Sequence, residues 1–308
     1  MEEYDLPDIH NRMLSDLVRT EAFAEAISRT VRKGDVIADV GCGTGILSLL
    51  ACRAGASRVY AIDRSQTIIQ ARAIAEANGF GDRITFISED ANTVELPEKV
   101  DGVISEWLGN GGLEEGMLLP VMSVRDRWLK PGGWMIPKSV TLYAAPIECE
   151  NAYSWVDYFN KDVYGFDFRA MRRRAANERY LETFRKEELL APPVALTTMD
   201  IASITSPEVD CKASFMVSRD ADLHGMAGWF ASDIGGGVPI STAPGEPSTH
   251  WFHVYYPIER ALLVSKGERI QYRLATKTTR DGTFWRWGMN LERSGELSEE
   301  DLLTNSPV

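Results

Sequence analysis

A glycine-rich turn between a strand and a helix constrains the fold of this chain more than any other feature of its sequence. A β-branched segment at 36–40 leads into the run Asp39-Val-Gly-Cys-Gly-Thr-Gly45, and a helical pattern at 46–54 follows it. Glycine allows the tight turn and lets a ligand approach the backbone at the amino terminus of a helix. The run has the form GxGxG and lacks the third glycine of the dinucleotide fingerprint. The turn therefore predicts a binding site for a small polar ligand other than NAD.

Strand-like and helix-like segments alternate through the first half of the chain. Beyond the glycine turn, strands are predicted at 58–63, 84–87 and 100–105, and helices at 65–78 and 121–129. This βαβ alternation predicts a mostly parallel, doubly wound α/β sheet of the Rossmann-like type, which we assign to a domain at 1–137. Proline fits only the first turn of a helix, so Pro120 predicts that the last helix begins near Leu119 or is kinked. A proline and two glycines at 131–133 are expected to end that helix.

The second half of the chain has a different pattern of predicted secondary structure. Short strand-like runs occur at 143–147, 212–218, 227–232, 251–256 and 269–276. Turns rich in glycine, proline and serine separate these runs, which is typical of all-β domains and predicts a β-barrel over 138–308. A charged, helix-prone insert at about 154–190 interrupts the pattern, and we expect it to protrude as a helical arm.

Composition and charge limit the classes of molecule that this 308-residue chain can bind. Its formal net charge of −12 is opposite in sign to that of proteins that grip nucleic-acid phosphates, and it favours cationic partners. No apolar run approaches the roughly 18 residues that cross a bilayer. The acidic start MEEYDLPDIH carries no secretory signal, so we expect residence in the cytoplasm. Four cysteines without a CxxC pair predict neither a disulfide framework nor a metal site.

Two further strand ends carry residues that suit the same ligand. Asp63 ends the second strand, where a carboxylate can accept both hydroxyls of a ribose, and Asp90-Ala91-Asn92 follows the third, where adenine would lie. In methyltransferases the compact glycine loop wraps the methionine part of S-adenosylmethionine, and the order of the three sites matches that cofactor. Unrelated acidic strand ends beside a glycine-rich turn are the alternative. The loop residues predicted to bind the cofactor are Asp39, Gly41, Cys42, Gly43 and Gly45.

Two glutamates follow the fourth strand at a defined spacing. A loop opens with Ser105-Glu106-Trp107 and closes with Glu115-Gly116-Met117-Leu118, which places the glutamates nine positions apart and leaves Glu114 outside that spacing. This loop resembles the double-glutamate loop of the protein arginine methyltransferases. Other segments resemble that family in the same order: Ile9-His10, Met13-Leu14, Asp16, Arg19-Thr20, then 163–167, and finally Thr249-His250-Trp251.

The resemblance implies methyl transfer to a guanidinium. A guanidinium stays protonated and is a poor nucleophile, because its electrons are delocalised over three nitrogens. Two carboxylates can accept bidentate hydrogen bonds from it and draw its positive charge toward the non-reacting nitrogens. Glu106 and Glu115 are therefore the expected catalytic pair, with S-adenosyl-L-homocysteine as the second product. A solvated charged loop is the alternative.

The other matched residues have roles that the resemblance implies. His250 and Asp16 would pair beside the glutamates, either as a proton route or as a structural pair. Arg19 would bind the carboxylate of the cofactor, and a surface salt bridge is the alternative for it. His10, on the same segment, would also bind the cofactor. Trp251 would line the arginine channel or belong to the core.

Three more residues bear on the product and on closure of the site. Met13 and Met117 match the methionines of relatives that make asymmetric dimethylarginine, which favours mono- and asymmetric dimethylation; methionine is also a common gap-filler. Tyr4 matches the second tyrosine of the lid helix of the family, as a substrate-binding residue, and the first would precede Met1. Asp63 and Asn92 stand where the family usually has glutamate.

Three hypotheses remain open on the sequence alone. The first is a protein or peptide arginine methyltransferase that forms a homodimer through the 154–190 arm, with Met171, Tyr180 and Phe184 as apolar arm residues. Ordinary helix packing is the alternative for these three. The second keeps the reaction but takes free L-arginine or a small guanidino metabolite as acceptor. The third is a non-catalytic relative that binds the cofactor. The GxGxG form and the double-glutamate loop disfavour a hydride-transferring oxidoreductase.

Overall fold

A parallel sheet forms in the first half of the chain, as predicted, and it has a fifth strand beyond the four predicted ones. The computed structural model describes residues 6–113, 115–279, 282–293, 296–297 and 302–305. The strands are β1 (Val36–Val40), β2 (Arg58–Ile62), β3 (Ile84–Ile87), β4 (Val100–Ile104) and β5 (Leu129–Ile136). Their order across the sheet is β3-β2-β1-β4-β5, and all neighbours are parallel. The order reverses between β1 and β4, which is where ligands bind in open α/β sheets.

Five helices accompany this sheet. They are α1 (Pro7–Ser15), α2 (Leu17–Thr30), α3 (Ile46–Ala54), α4 (Thr67–Ala77) and α5 (Leu118–Trp128). Helix α5 begins one residue before the predicted start, and Pro120 lies in its first turn, where no intrahelical bond is lost. The glycines and proline at 131–133 do not end this helix as predicted but lie inside β5. Strand β5 is at the edge of the sheet and its register on β4 shifts there, which is where proline is tolerated in strands.

The insert predicted as a helical arm contains more strand than expected. It lies between β6 (Ser139–Ile147) and the next long strand, and its elements are α6 (Glu150–Asp157), β7 (Asp162–Val163), β8 (Phe166–Asp167), α7 (Arg172–Ala176) and β9 (Tyr180–Glu182). Tyr164 and Gly165, both at positive φ, join β7 to β8 as in a tight hairpin turn. Tyr180 stacks on Trp155 and Phe184 is buried, so these two predicted arm residues are packing residues.

Antiparallel sheets make up the rest of the chain. The elements are β10 (Val194–Asp200), β11 (Asp210–Met216), β12 (Ala221–Gly235), β13 (Val238–Ser241), β14 (His253–Val264), β15 (Arg269–Thr279), β16 (Gly282–Arg293), β17 (Glu296–Leu297) and β18 (Leu302–Asn305). One sheet has the order β10-β6-β12-β14-β9, and the other β11-β15-β16-β17. Tyr256 of the first sheet packs edge-on against Trp287 of the second, with ring centroids 5.3 Å apart. The two sheets therefore enclose an aromatic core, as in the predicted barrel.

One hydrophobic core joins the parallel sheet to the barrel. It contains Ile37 and Val103 of the parallel sheet together with Phe230 and Trp287 of the barrel. All four cysteines carry free thiols. Over the described ranges, no helix combines the length and the apolarity that crossing a membrane requires.

Candidate active site

The glycine loop lies at the carboxyl end of β1, and two other segments close over it. Gly41, Gly43 and Gly45 all have positive φ, which side chains other than glycine rarely adopt. A Cβ on Gly41 would lie 2.9 Å from the Cε of Met117, and one on Gly43 would lie 3.5 Å from Cε1 of His10. The loop, α1 and the turn before α5 therefore converge at the switch point of the sheet.

Asp39 and Cys42 support the loop from within. Burial raises the pKa of Asp39 to about 7, a donated bond from Ser48 opposes this rise, and the charge of Asp63 adds to it. Oδ2 of Asp39 accepts the hydroxyl of Ser48 at 2.6 Å, and its buried Oδ1 has no protein partner. Burial also raises the pKa of the Cys42 thiol, helped by the charges of Asp39 and Asp63. Cys42 is thus a buried, neutral packing residue, and its predicted contact with the cofactor stays a prediction.

Asp63 and Asp90, the acidic residues after β2 and β3, are hydrogen-bonded to nearby loops. Asp63 accepts the backbone N–H of Gly43 at 2.7 Å with Oδ2 and that of Ser65 at 2.8 Å with Oδ1. Oδ1 of Asp90 accepts both the backbone N–H and the side-chain amide of Asn92 at 2.8 Å, while Ala91 is buried between them. The carboxylates thereby fix the loops at the ends of β2 and β3. In Asn92 the amide nitrogen makes this bond, and the amide oxygen is the acceptor that an adenine amine requires.

His10 belongs to the cofactor side of the crevice. Its ring lies over Gly43, and its Nε2 is 3.1 Å from the hydroxyl of Thr67 at the start of α4. Thr67 and Ser48 were not among the residues predicted from the sequence. The sequence shows only that each hydroxyl lies in an apolar helix. It does not show that Ser48 bonds Asp39 or that Thr67 bonds His10, because those partners depend on the fold.

Glu106 is held by a buried arginine. Its Oε2 accepts Nε and Nη2 of Arg19 at 2.8 and 2.6 Å, and its Oε1 accepts the backbone N–H of Leu108 at 3.0 Å. The side chains of Arg19 and Glu106 are only 7% and 6% exposed. Nη1 of Arg19 donates to the carbonyl of Met13 at 3.2 Å. Arg19 therefore binds the glutamate rather than forming a surface salt bridge, and its contact with a cofactor carboxylate stays a prediction.

Asp16 and His250 form the predicted pair. Asp16 caps α2 by accepting the backbone N–H of Arg19 at 3.0 Å, and its Oδ2 accepts the backbone N–H and Nδ1 of His250 at 2.8 and 2.7 Å. Burial raises the pKa of Asp16, but these three hydrogen bonds outweigh it and hold the pKa below its usual value. A continuous series of contacts thus runs from His250 through Asp16 and Arg19 to Glu106.

The remaining predicted residues occupy different surroundings. Glu115 is partly buried in the turn before α5, and Met117 caps that helix beside the glycine loop. Trp251 is buried and packs edge-on against Phe230 at 5.1 Å, in the turn before β14 rather than in the predicted strand. Its ring is also 4.8 Å from that of His250, so its core position adjoins the site. Tyr4 lies outside the described residues.

A Rossmann-like sheet with a GxGxG loop at its crevice, joined to an antiparallel barrel, defines the class of the methyltransferases. Two family profiles match the chain. "Methyltransferase domain" matches residues 37–133, and "Arginine methyltransferase oligomerization subdomain" matches residues 138–284.

Curated relatives identify the family. The chain is 40% identical over 237 residues to "Probable protein arginine N-methyltransferase 6" of Arabidopsis thaliana, which covers 74% of this chain and 54% of the relative. It is 34% identical over 294 residues to "Protein arginine N-methyltransferase 6" of Xenopus laevis, which covers 91% of this chain and 84% of the relative. The chain therefore belongs to the protein arginine N-methyltransferase family. It spans about half the length of the Arabidopsis relative.

Solved structures of the family have the same architecture. The Trypanosoma brucei PRMT1 enzyme–prozyme heterotetrameric complex with AdoHcy matches with a TM-score of 0.90 and 29% identity over 97% of this chain and 98% of that chain. Protein arginine methyltransferase 10 of Arabidopsis thaliana, in an open conformation, matches with a TM-score of 0.83 and 26% identity over 98% of this chain and 97% of that chain. These matches confirm the predicted Rossmann-like domain followed by a barrel.

Proposed function

We propose that this protein transfers methyl groups from S-adenosylmethionine to a terminal guanidino nitrogen of arginine in proteins or peptides. The observation that carries the proposal is the buried carboxylate of Glu106, which already binds one guanidinium, that of Arg19, through two donors. This carboxylate follows β4, beside the strand that bears the glycine loop. A planar, bidentate donor is the partner that such an acceptor selects.

The residues of the crevice fit the cofactor. S-adenosylmethionine, when bound, supplies an electrophilic methyl on a sulfonium. The glycine loop leaves room for a ligand against the backbone, and the buried Oδ1 of Asp39 lacks a protein partner, as expected for a group that completes its bonding when a cationic ligand is present. Asp63 and Asn92 would hold the ribose and the adenine, with His10 above the loop. The similar Trypanosoma brucei PRMT1 enzyme–prozyme complex with AdoHcy supports this assignment.

The two glutamates would act on the acceptor by charge and position. Glu106 and Glu115 would accept hydrogen bonds from the guanidinium and draw its positive charge toward the nitrogens that do not react. One terminal nitrogen then keeps electron density for an in-line attack, and much of the rate comes from holding it close to the methyl. Arg19 fixes the orientation of the Glu106 carboxylate. His250, hydrogen-bonded to Asp16, would offer one route for the proton released after transfer.

We propose mono- and asymmetric dimethylation as the product type, on the match of Met13 and Met117 to the methionines of relatives that make asymmetric dimethylarginine. Met117 lies against the glycine loop, and the backbone carbonyl of Met13 accepts a bond from Arg19, which supports the proposal. Free L-arginine or a small guanidino metabolite is the second candidate acceptor. The observation that favours it is the burial of the Glu106 carboxylate, whose side chain is 6% exposed.

A mass-spectrometric methyl-transfer assay tests the function. The protein is incubated with S-adenosylmethionine and either an arginine–glycine-rich peptide, the same peptide with lysine in place of every arginine, or free L-arginine. We expect the arginine peptide to gain one and then two methyl groups and the lysine peptide to gain none. Fragmentation that releases dimethylamine identifies the asymmetric product. A gain on free arginine alone would replace the peptide substrate with the second candidate, and no gain on any acceptor would contradict the proposal.

We further propose that the protein is a homodimer assembled through the 154–190 arm. The arm exposes large apolar side chains, Tyr164 at 94% and Phe166 at 67%, together with Trp155 and Tyr158. Exposed apolar groups in one protruding segment are typical of association surfaces. Light scattering should give twice the mass of the chain at micromolar concentration, and Tyr164→Asp with Phe166→Asp should give the monomer. A wild-type monomer would overturn the proposal.

A further inference from the structure

We propose that Thr283, on the barrel hairpin formed by β15 and β16, is a positioning residue that holds the catalytic loop from Leu108 to Met117 in its active geometry. The inference rests on the proposed function, because it assigns a task to a residue outside the crevice in placing Glu115. Thr283 matches none of the motifs by which the sequence pointed to the site.

The hairpin contacts the loop on both sides of Glu115. The hydroxyl of Thr283 donates to the carbonyl of Leu113 at 2.8 Å, two residues before the glutamate. One residue after it, Gly116 has a φ of +65°, and a Cβ there would lie 3.5 Å from the Cα of Gly282. The hydroxyl of Thr278 lies 3.3 Å from that of Thr283 and can donate to it, since the Thr283 proton is used on Leu113. A series of hydroxyls thus ties the end of the hairpin to the loop.

The other side of the loop rests on the first barrel sheet. A Cβ on Gly112 would lie 3.0 Å from Cδ2 of Leu142 in β6 and 3.3 Å from the Cβ of Phe230 in β12. Leu113 itself is buried in the common core. The loop is therefore enclosed between the hairpin and the β6–β12 surface, and it has little space in which to shift.

The two glutamates are consequently held by different parts of the molecule. Glu106 is fixed by Arg19 of α2, within the methyltransferase half, whereas the segment around Glu115 is fixed by the barrel. The distance between the two carboxylates depends on how the barrel seats against the parallel sheet. Because the catalytic gain from positioning is lost over displacements of about 1 Å, a single hydroxyl at this junction can control the turnover rate.

The test compares two substitutions at the same position. Thr283→Val keeps the shape but removes the hydrogen bond, and we expect kcat for the arginine peptide to fall about 10-fold while S-adenosylhomocysteine binding by calorimetry is unchanged. Thr283→Ser keeps the hydroxyl and should retain most of the wild-type kcat. Thr198→Val, on β10, is the matched control, because it removes an exposed hydroxyl bonded to Thr141 elsewhere in the barrel.

A double mutant separates positioning from general damage. If Thr283 acts through Glu115, Thr283→Val should add almost nothing to the loss caused by Glu115→Gln. Full additivity, an unchanged kcat in Thr283→Val, or an equal loss in the serine variant would overturn the inference while the function stands. Should the valine variant not fold, Gly116→Ala, which strains the loop from its other side, must lower kcat with cofactor binding intact. A wild-type protein that methylates no arginine acceptor overturns both proposals.

Discussion

Glu106→Gln should lower kcat by about 10³-fold, because glutamine keeps the shape of the side chain but loses the charge that polarises the acceptor guanidinium. Glutamine has a single acceptor oxygen, whereas Glu106 accepts from Arg19 with one oxygen and from the backbone N–H of Leu108 with the other, so the NH2 group of glutamine must face one of these donors. The glycine loop lies on another strand, so S-adenosylhomocysteine should bind with wild-type affinity in calorimetry. The readout is the methyl-transfer rate on the arginine peptide under saturating cofactor.

Glu95→Gln is the matched control for this experiment. It makes the same chemical change on a largely exposed glutamate whose partner, Arg127, is 3.5 Å away, and its rate should equal that of the wild type. Glu115→Gln should also reduce kcat strongly, and combining it with Glu106→Gln should cost far less than the product of the two single effects, since the pair acts as a unit. A Glu106→Gln variant that kept more than about a tenth of the wild-type rate would contradict the proposed role.

Arg19→Met should destabilise the protein by about 3–5 kcal/mol, because it leaves the buried carboxylate of Glu106 without its compensating charge. Both side chains are almost completely buried, so little water is available to take the place of the guanidinium. Methionine retains much of the volume of the arginine stem, which limits the contribution of a cavity. The measurement is the free energy of unfolding from urea denaturation at neutral pH.

Two companion variants show whether the loss is electrostatic. Arg29→Met breaks the ion pair with Glu25, whose side chains are 51% and 53% exposed, and should change stability by less than about 1 kcal/mol. Arg19→Met combined with Glu106→Gln removes the unpaired charge and should recover much of the stability lost in Arg19→Met alone. If the double variant is no more stable than the single one, the arginine stabilises the fold by packing and not by its charge.

Short stretches of the sequence were enough to predict the architecture, because turns, strands and helix starts depend on a few neighbouring residues. The GxGxG turn needs glycines wherever it occurs, and Gly41, Gly43 and Gly45 all have the expected positive φ. Periodicity located four of the five strands of the parallel sheet and Pro120 located the start of α5, since each depends on the backbone preferences of a few neighbouring residues. The prediction for 131–133 was wrong, because an edge strand with an irregular register accepts the proline and glycines that usually end a helix.

The sequence predicted which residues form the site, but it did not predict all of the contacts between them. Resemblance to the family named Asp16 with His250, and these two are bonded in the structure across 234 positions. The same reasoning directed Arg19 to the cofactor, which stays a prediction, and it did not identify the bond between the guanidinium of Arg19 and Glu106. An arginine can bind any carboxylate within reach, and which carboxylate that is depends on the packing of α2 against the loop after β4.

By itself the sequence determined the two kinds of sheet, the glycine loop and the presence of two glutamates nine residues apart, because backbone geometry and hydrophobic periodicity are properties of neighbouring residues. Tertiary structure alone decided that Arg19 holds Glu106, that Phe184 is buried while Tyr180 stacks on Trp155, and that Thr283 contacts the loop at Leu113. These contacts join residues far apart in the chain. A buried polar group must find its hydrogen-bond partners within the protein, and those partners are defined only when the barrel packs against the parallel sheet.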